Sequence, residues 1–102
     1  MELFPQPKKS EFTIYSKSGC PNCLKSKQLL KDKHYSFSVI DCDEFLIENK
    51  PLFLSFIEKI AKKEVKMFPM IFDCNKYVGG YNELVSYIDS FQRENLDFDM
   101  SF

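Results

Sequence analysis

No apolar run in this sequence approaches the roughly 20 residues that a bilayer-crossing helix needs, and its first residues lack the charged start, apolar centre and small-residue cleavage site of a secretory leader. A soluble, cytoplasmic chain with no membrane partner is the expectation. No basic block is present either, because 14 Lys and Arg are interspersed with 15 Asp and Glu for a net charge of −1. That balance offers no footprint to a phosphate backbone and removes nucleic acid from the expected partners. Neither an internal repeat nor a break in composition marks a domain boundary, so 102 residues make one domain around one core. Aromatics at 16%, eleven of them Phe, supply much of that core.

What the chain does contain is four cysteines, two of them three residues apart in Cys20-Pro21-Asn22-Cys23. In a reducing compartment such cysteines point to catalysis or metal binding rather than to structural disulfides. Cys42 and Cys74 have no partner by spacing. Read as half of a zinc site, the motif needs further ligands, for which only Cys42, Cys74 and His34 remain. A second CxxC or CxxH is missing, so redox chemistry is favoured over a metal centre and no metal ligand is assigned.

Residues 1–11, with Pro5, Pro7 and Lys8-Lys9, show no periodicity and form a lead-in whose order depends on whether Leu3 and Phe4 find a groove. Phe12 to Ser16 is β-branched and aromatic and reads as a buried strand. After the Lys17-Ser18-Gly19 turn, a helix runs from about Pro21 to Lys33, with proline suited to its first turn. A break at His34 to Ser36 leads to a second strand at Phe37 to Ile40, which completes a βαβ unit. Residues 44–63 carry apolar side chains at helical spacing, firm from Leu52 to Lys62 with Pro51 in the first turn. Beyond a loop, Met70-Ile71-Phe72 and Tyr77-Val78 form a hairpin about the turn Asp73 to Lys76. Gly79-Gly80 ends the return strand, and Asn82 starts an amphipathic helix through Leu84, Val85, Ile88 and Phe91 to about Arg93. The domain proper thus covers 12–93, and 94–102 form an irregular tail. The order β-α-β-α-β-β-α predicts an α/β fold with a four-stranded mixed sheet flanked by helices.

The thiolate is the form that attacks a disulfide, so an exchange site needs one cysteine whose anion is stabilised near neutral pH. At the start of a helix, the Cys20 sulfur meets unpaired N–H groups and the positive end of the dipole. Lys17 adds a positive side chain, so a depressed Cys20 pKa is expected. Cys23, one turn further in and less exposed, is the resolving thiol.

With Lys17-Ser18-Gly19-Cys20-Pro21-Asn22-Cys23, then Phe68-Pro69, then Gly79-Gly80-Tyr81-Asn82, the chain resembles the dithiol glutaredoxins of the thioredoxin fold. The resemblance covers nearly the whole domain. It implies a glutathione-dependent thiol-disulfide oxidoreductase with Cys20 and Cys23 as catalytic residues. It also implies a cis Pro69 facing the cysteines and exposing the backbone of Phe68. Lys17 then pairs with the glycine carboxylate of glutathione, Phe68 bonds its cysteinyl backbone, and Tyr81-Asn82, following Gly80, receive its γ-glutamyl end. This last contact has independent physical sense, since free N–H groups at a helix start suit a carboxylate. Lys66 stands in place of a family arginine and supplies a second cation. Asn22 stands where the family has Tyr or Phe, so an amide replaces the aromatic wall beside Cys20.

The implied partners are glutathione, as co-substrate without any tightly bound cofactor, and disulfide-containing or glutathionylated proteins, acted on by a monomer. Asn22 and Met67 motivate an alternative, a thioredoxin-like protein reductase that does not use glutathione, although thioredoxins themselves carry C-G-P-C flanked by tryptophan and this chain has none. A further alternative is an iron-sulfur or metal-binding module with Cys20 as ligand. Cys42 and Cys74 are expected to be inert if buried, and Cys74 to be a regulatory or disulfide-forming thiol if exposed.

Overall fold

A computed structural model describes the backbone of residues 4–100 and the side chains of residues 4–91. The elements are β1 (Phe12–Ser16), α1 (Pro21–Asp32), β2 (Phe37–Asp41), α2 (Asp43–Ala61), β3 (Met70–Asp73), β4 (Lys76–Gly79) and α3 (Tyr81–Met100). The strands form one sheet in the order β2-β1-β3-β4. β1 pairs parallel with β2 and antiparallel with β3, and β3 pairs antiparallel with β4. This is the expected mixed sheet of a thioredoxin-like fold.

Every residue of β1 is buried, because this strand is central and both of its faces are covered. The two-residue period of a strand sorts its side chains. Phe12 and Ile14, with Ile71 of β3, pack against Leu30 of α1 and Leu84 and Ile88 of α3. Tyr15, with Met70 and Phe72, faces the opposite way onto Phe53 and Ile57 of α2. Each large side chain so removed from water contributes about 1.5–3 kcal/mol before ordering costs.

α1 ends in a left-handed residue, His34 at φ 65°. Tyr35 N–H then returns to the Leu30 carbonyl at 2.9 Å and His34 N–H to that of Lys31 at 3.1 Å, a Schellman ending that aims the chain into β2. α2 begins earlier than the firm stretch read from periodicity, and it breaks at Asn49 (φ −161°, ψ 78°). The Asn49 side-chain oxygen accepts from Leu52 N–H at 3.2 Å and recaps the second half, so Pro51 does fall in a first turn, where it forfeits no hydrogen bond.

Phe4 finds its groove, lying 5.0 to 5.3 Å from the rings of Phe45, Phe53 and Phe56, while Tyr15 Oη donates to the Pro5 carbonyl at 2.7 Å. Leu3 lies outside the described residues. The tail read as irregular is instead helical to Met100, since no Gly or Pro after Gly80 interrupts the helix. Ser101 and Phe102 lie outside the described residues.

Candidate active site

β1 delivers the chain to Ser16, and the Lys17-Ser18-Gly19 turn carries it into α1. Gly19 has φ +68° with nothing within 4 Å of a Cβ position, so it is required there for its conformation and not for space. Cys20 follows as the N-cap of α1 in extended geometry (φ −115°, ψ 98°), with Pro21 opening the helix. The Cys20 side chain accepts from Cys23 N–H at 3.2 Å, so its sulfur takes the place that a capping oxygen usually fills. Cys20 and Cys23 are joined in a disulfide with their Cα atoms 5.2 Å apart. Cys20 is partly exposed whereas Cys23 is only 1% exposed, the asymmetry expected of an attacking and a resolving thiol.

The Phe68-Pro69 bond is cis and immediately precedes β3. Phe68 lies nearly parallel to the buried Phe53, with centroids 6.3 Å apart and planes 6° apart. The Lys17 ammonium sits 5.5 Å from the centroid of the Phe68 ring, which links the turn before Cys20 to the segment before Pro69. Behind this turn, Ser18 N–H donates to Asp43 Oδ1 at 2.9 Å and Ser18 Oγ donates to Asp43 Oδ2. The Ser18 hydroxyl first and its N–H second hold the Asp43 carboxyl below the usual aspartate range, with a smaller pull from Lys17.

At the start of α3, Gly79 has φ +134°, and a Cβ there would stand 2.6 Å from Glu83 Cβ. Glu83 folds back so that its Oε1 accepts from Gly80 N–H at 2.8 Å, while the Gly80 carbonyl accepts from Leu84 N–H at 3.0 Å. This is the returning half of a capping box. One of the N–H groups at this helix start is therefore already occupied by the chain's own carboxylate. Glu83 was absent from the residues singled out by sequence, although an acid three positions after a helix-opening glycine is the local signal for it.

A depression of about 1000 Å³ brings together Asn22, Lys66, Phe68, Pro69, Gly80, Tyr81 and Asn82. Lys17 is not part of that wall. It lines a second depression of about 470 Å³ with Cys20, Cys23, Leu24 and Val39, and its ammonium lies over Phe68, which lines the first. Lys66 pairs with Glu64 at 3.2 Å, both well exposed, a contact worth about 1 kcal/mol or less. Tyr81 has the Lys25 ammonium 5.8 Å from its ring centroid.

Neither remaining cysteine shares this chemistry. Cys42 is fully buried, and desolvation pushes its thiol up to about 12. Cys74, partly exposed in the hairpin turn at φ 56°, is also pushed up, by desolvation first and by Asp73 next. Among the described residues, no group of three or more His, Cys, Asp or Glu side chains is arranged to hold a metal ion, and no helix is long and apolar enough to cross a membrane.

The glutaredoxin family model matches residues 12–73. Glutaredoxin 1 of Rickettsia conorii is 37% identical over 71 residues, covering 70% of this chain and 65% of that protein. The hybrid peroxiredoxin hyPrx5 of Haemophilus influenzae is 34% identical over 86 residues, which cover 83% of this chain and 32% of that protein. The chain thus spans somewhat under two thirds of the Rickettsia relative and about a third of the Haemophilus one. The crystal structure of glutaredoxin 1 from Francisella tularensis superposes with a TM-score of 0.69 at 23% identity, covering 80% of this chain and 95% of that one, and shows the same fold. The matched segment contains the Cys20–Cys23 pair and the cis Phe68-Pro69 bond in the places described above, and the chain belongs to the glutaredoxin family.

Proposed function

We propose that the chain is a thiol-disulfide oxidoreductase that uses glutathione as co-substrate to reduce protein disulfides and glutathionylated proteins, acting as a cytoplasmic monomer. The observation that carries this reading is the unequal pair, with Cys20 partly exposed at the helix N-terminus under an N–H bond to its sulfur and Cys23 buried behind it. As a thiolate, Cys20 attacks one sulfur of the substrate disulfide. The S–S bond breaks, one thiolate leaves, and a mixed disulfide forms at Cys20. Cys23 then loses its proton and attacks the Cys20 sulfur, which expels the second substrate thiolate and forms the Cys20–Cys23 disulfide. Two glutathione molecules return the two electrons, the first opening the disulfide at Cys20 and the second leaving with it as glutathione disulfide. A glutathionylated protein needs only Cys20, since the protein thiolate leaves first and a second glutathione completes the cycle.

Support for glutathione comes from the grouping of Asn22, Lys66, Phe68, Pro69, Gly80, Tyr81 and Asn82 around one depression, while Lys17 lines a second depression with Cys20 and lies over the Phe68 ring of the first. Two lysines suit an anionic tripeptide, and the Tyr81 and Asn82 N–H groups at the start of α3 suit its γ-glutamyl carboxylate. Reduction of a glutathionylated peptide with glutathione and glutathione reductase tests the reading. Cys20→Ser abolishes turnover, whereas Cys23→Ser retains the monothiol route and, reacted with glutathione disulfide in the absence of free glutathione, holds glutathione on Cys20. Full activity in the Cys20 variant overturns the assignment, and reduction by thioredoxin reductase but not by glutathione redirects it to a glutathione-independent reductase. An iron-containing, coloured dimer on anaerobic purification favours a cluster-binding module instead.

The similarity to part of a hybrid peroxiredoxin favours a peroxiredoxin as one oxidised protein partner. Peroxide-dependent consumption of glutathione in a mixture of this chain with a peroxiredoxin, lost in Cys20→Ser, is the expected result.

A further inference from the structure

Lys17 stands between two tethered residues, and both tethers come from the start of α2. The Ser16 carbonyl accepts from Cys42 N–H at 2.8 Å, and Ser18 gives both its N–H and its hydroxyl to the two oxygens of Asp43. Beyond Ser18, Gly19 has open space where a Cβ would stand. Cys20 is different, because its own helix fixes it. We propose that Asp43 is a positioning residue for the ligand cation of this site: by gripping Ser18 with both carboxylate oxygens, it sets the Lys17 backbone from which the ammonium reaches the Phe68 ring. Hydrogen bonds to an ionised carboxylate are the stronger kind, and a lysine on an untethered turn loses its fixed reach. The grip matters for binding an anionic tripeptide more than for the exchange step at Cys20, and in this it rests on the glutathione reading above.

Geometry and charge make opposite predictions here. Removing a negative charge near an anionic ligand improves binding if only the field matters, whereas releasing the turn weakens it. Steady-state kinetics with glutathione, glutathione reductase and 2-hydroxyethyl disulfide separate the two. Asp43→Ala raises the apparent KM for glutathione about fivefold, the scale of one lost hydrogen bond, with a smaller change in kcat. Asp43→Asn keeps an acceptor for the Ser18 N–H and a donor for its hydroxyl while dropping the charge, and recovers most of that loss. Ser18→Ala moves KM in the same direction by less, and provides a second variant if Asp43→Ala folds poorly by thermal melting. In a Lys17→Met background, Asp43→Ala adds nothing further, as coupling through one residue requires. A KM that is unchanged or lowered in Asp43→Ala, or a full effect that persists with Lys17→Met, overturns the proposal.

A wild-type enzyme with no saturable dependence on glutathione defeats the glutathione reading alone. The ratio of Cys20 alkylation rates by iodoacetate and iodoacetamide reads the Lys17 charge without any glutathione. Asp43→Ala lowers that ratio if Asp43 holds Lys17 in place, and raises or preserves it if the proposal is wrong.

Discussion

Cys20 and Cys42 are both N-cap residues, of α1 and α2 respectively, yet their surroundings assign them opposite chemistry. Cys20 is partly exposed and receives an N–H bond on its sulfur, which favours the anion. Alkylation of the reduced protein at Cys20 should therefore show a pH midpoint below the free-thiol value of about 8.5; a midpoint at or above that value contradicts the site geometry. Cys42 has no side-chain cap bond, and its S–H donates to the Ile40 carbonyl at 3.5 Å, with the carboxylates of Asp41 and Asp43 acting on it. Burial and these carboxylates push its thiol from 9.0 to about 12. A folded value raised above the unfolded one means that the contribution to stability is complete below pH 9 and is lost as pH climbs toward about 12. Denaturant midpoints should accordingly fall over this window, with a shallower fall in Cys42→Ala than in the wild type, and native Cys42 should resist alkylation where Cys20 does not.

At the scale of elements, the site depends on how α1 and α3 begin. Gly19 and Gly79 both have positive φ but for different reasons, and substitutions should distinguish them. Gly19→Ala meets open space and costs about 1–2 kcal/mol for the left-handed conformation alone. Gly79→Ala adds a clash with the Cβ of Glu83, so the larger loss, about 2–3 kcal/mol or more by chemical denaturation, belongs there. The same clash pushes Glu83 off the Gly80 N–H and frays the start of α3, so amide exchange at Gly80 should accelerate in this variant. The break at Asn49 has the opposite character. It lies within α2, far along the chain from Cys20 and Cys23, and its side-chain cap on Leu52 N–H lets the helix accept Pro51.

For the whole molecule, the aromatic content forms two cores on opposite faces of one sheet, and the larger includes a residue from outside the strand-helix pattern. Phe4 inserts among Phe45, Phe53 and Phe56 of α2. Phe53 in turn stacks on Phe68, over which Lys17 is placed. Phe4→Ala should lower stability by about 3 kcal/mol or more, read from the denaturant midpoint, as expected for loss of a buried ring. A smaller loss would show that the lead-in rests on the domain without supporting it. Most of the fold was legible in the chain, because strand and helix periods are written over a few neighbouring residues, and so was the Cys20–Cys23 pair, whose spacing matches one helical turn. The irregular tail was misread because acidic and aromatic composition suggested a loop while no helix breaker was present. Glu83 was missed although its partner Gly80 is only three residues away. The sequence by itself thus determined the element order, the two-faced sheet and the place of Cys20 at a helix start, all of which follow from local periodicity and capping. Only the tertiary structure decided that Phe4 belongs to the core, that Lys17 lies over Phe68, and that Asp43 grips Ser18 across 25 residues of chain. Contacts of that kind leave no periodic trace, since they come into being only when β1, α2 and the segment before β3 are packed together.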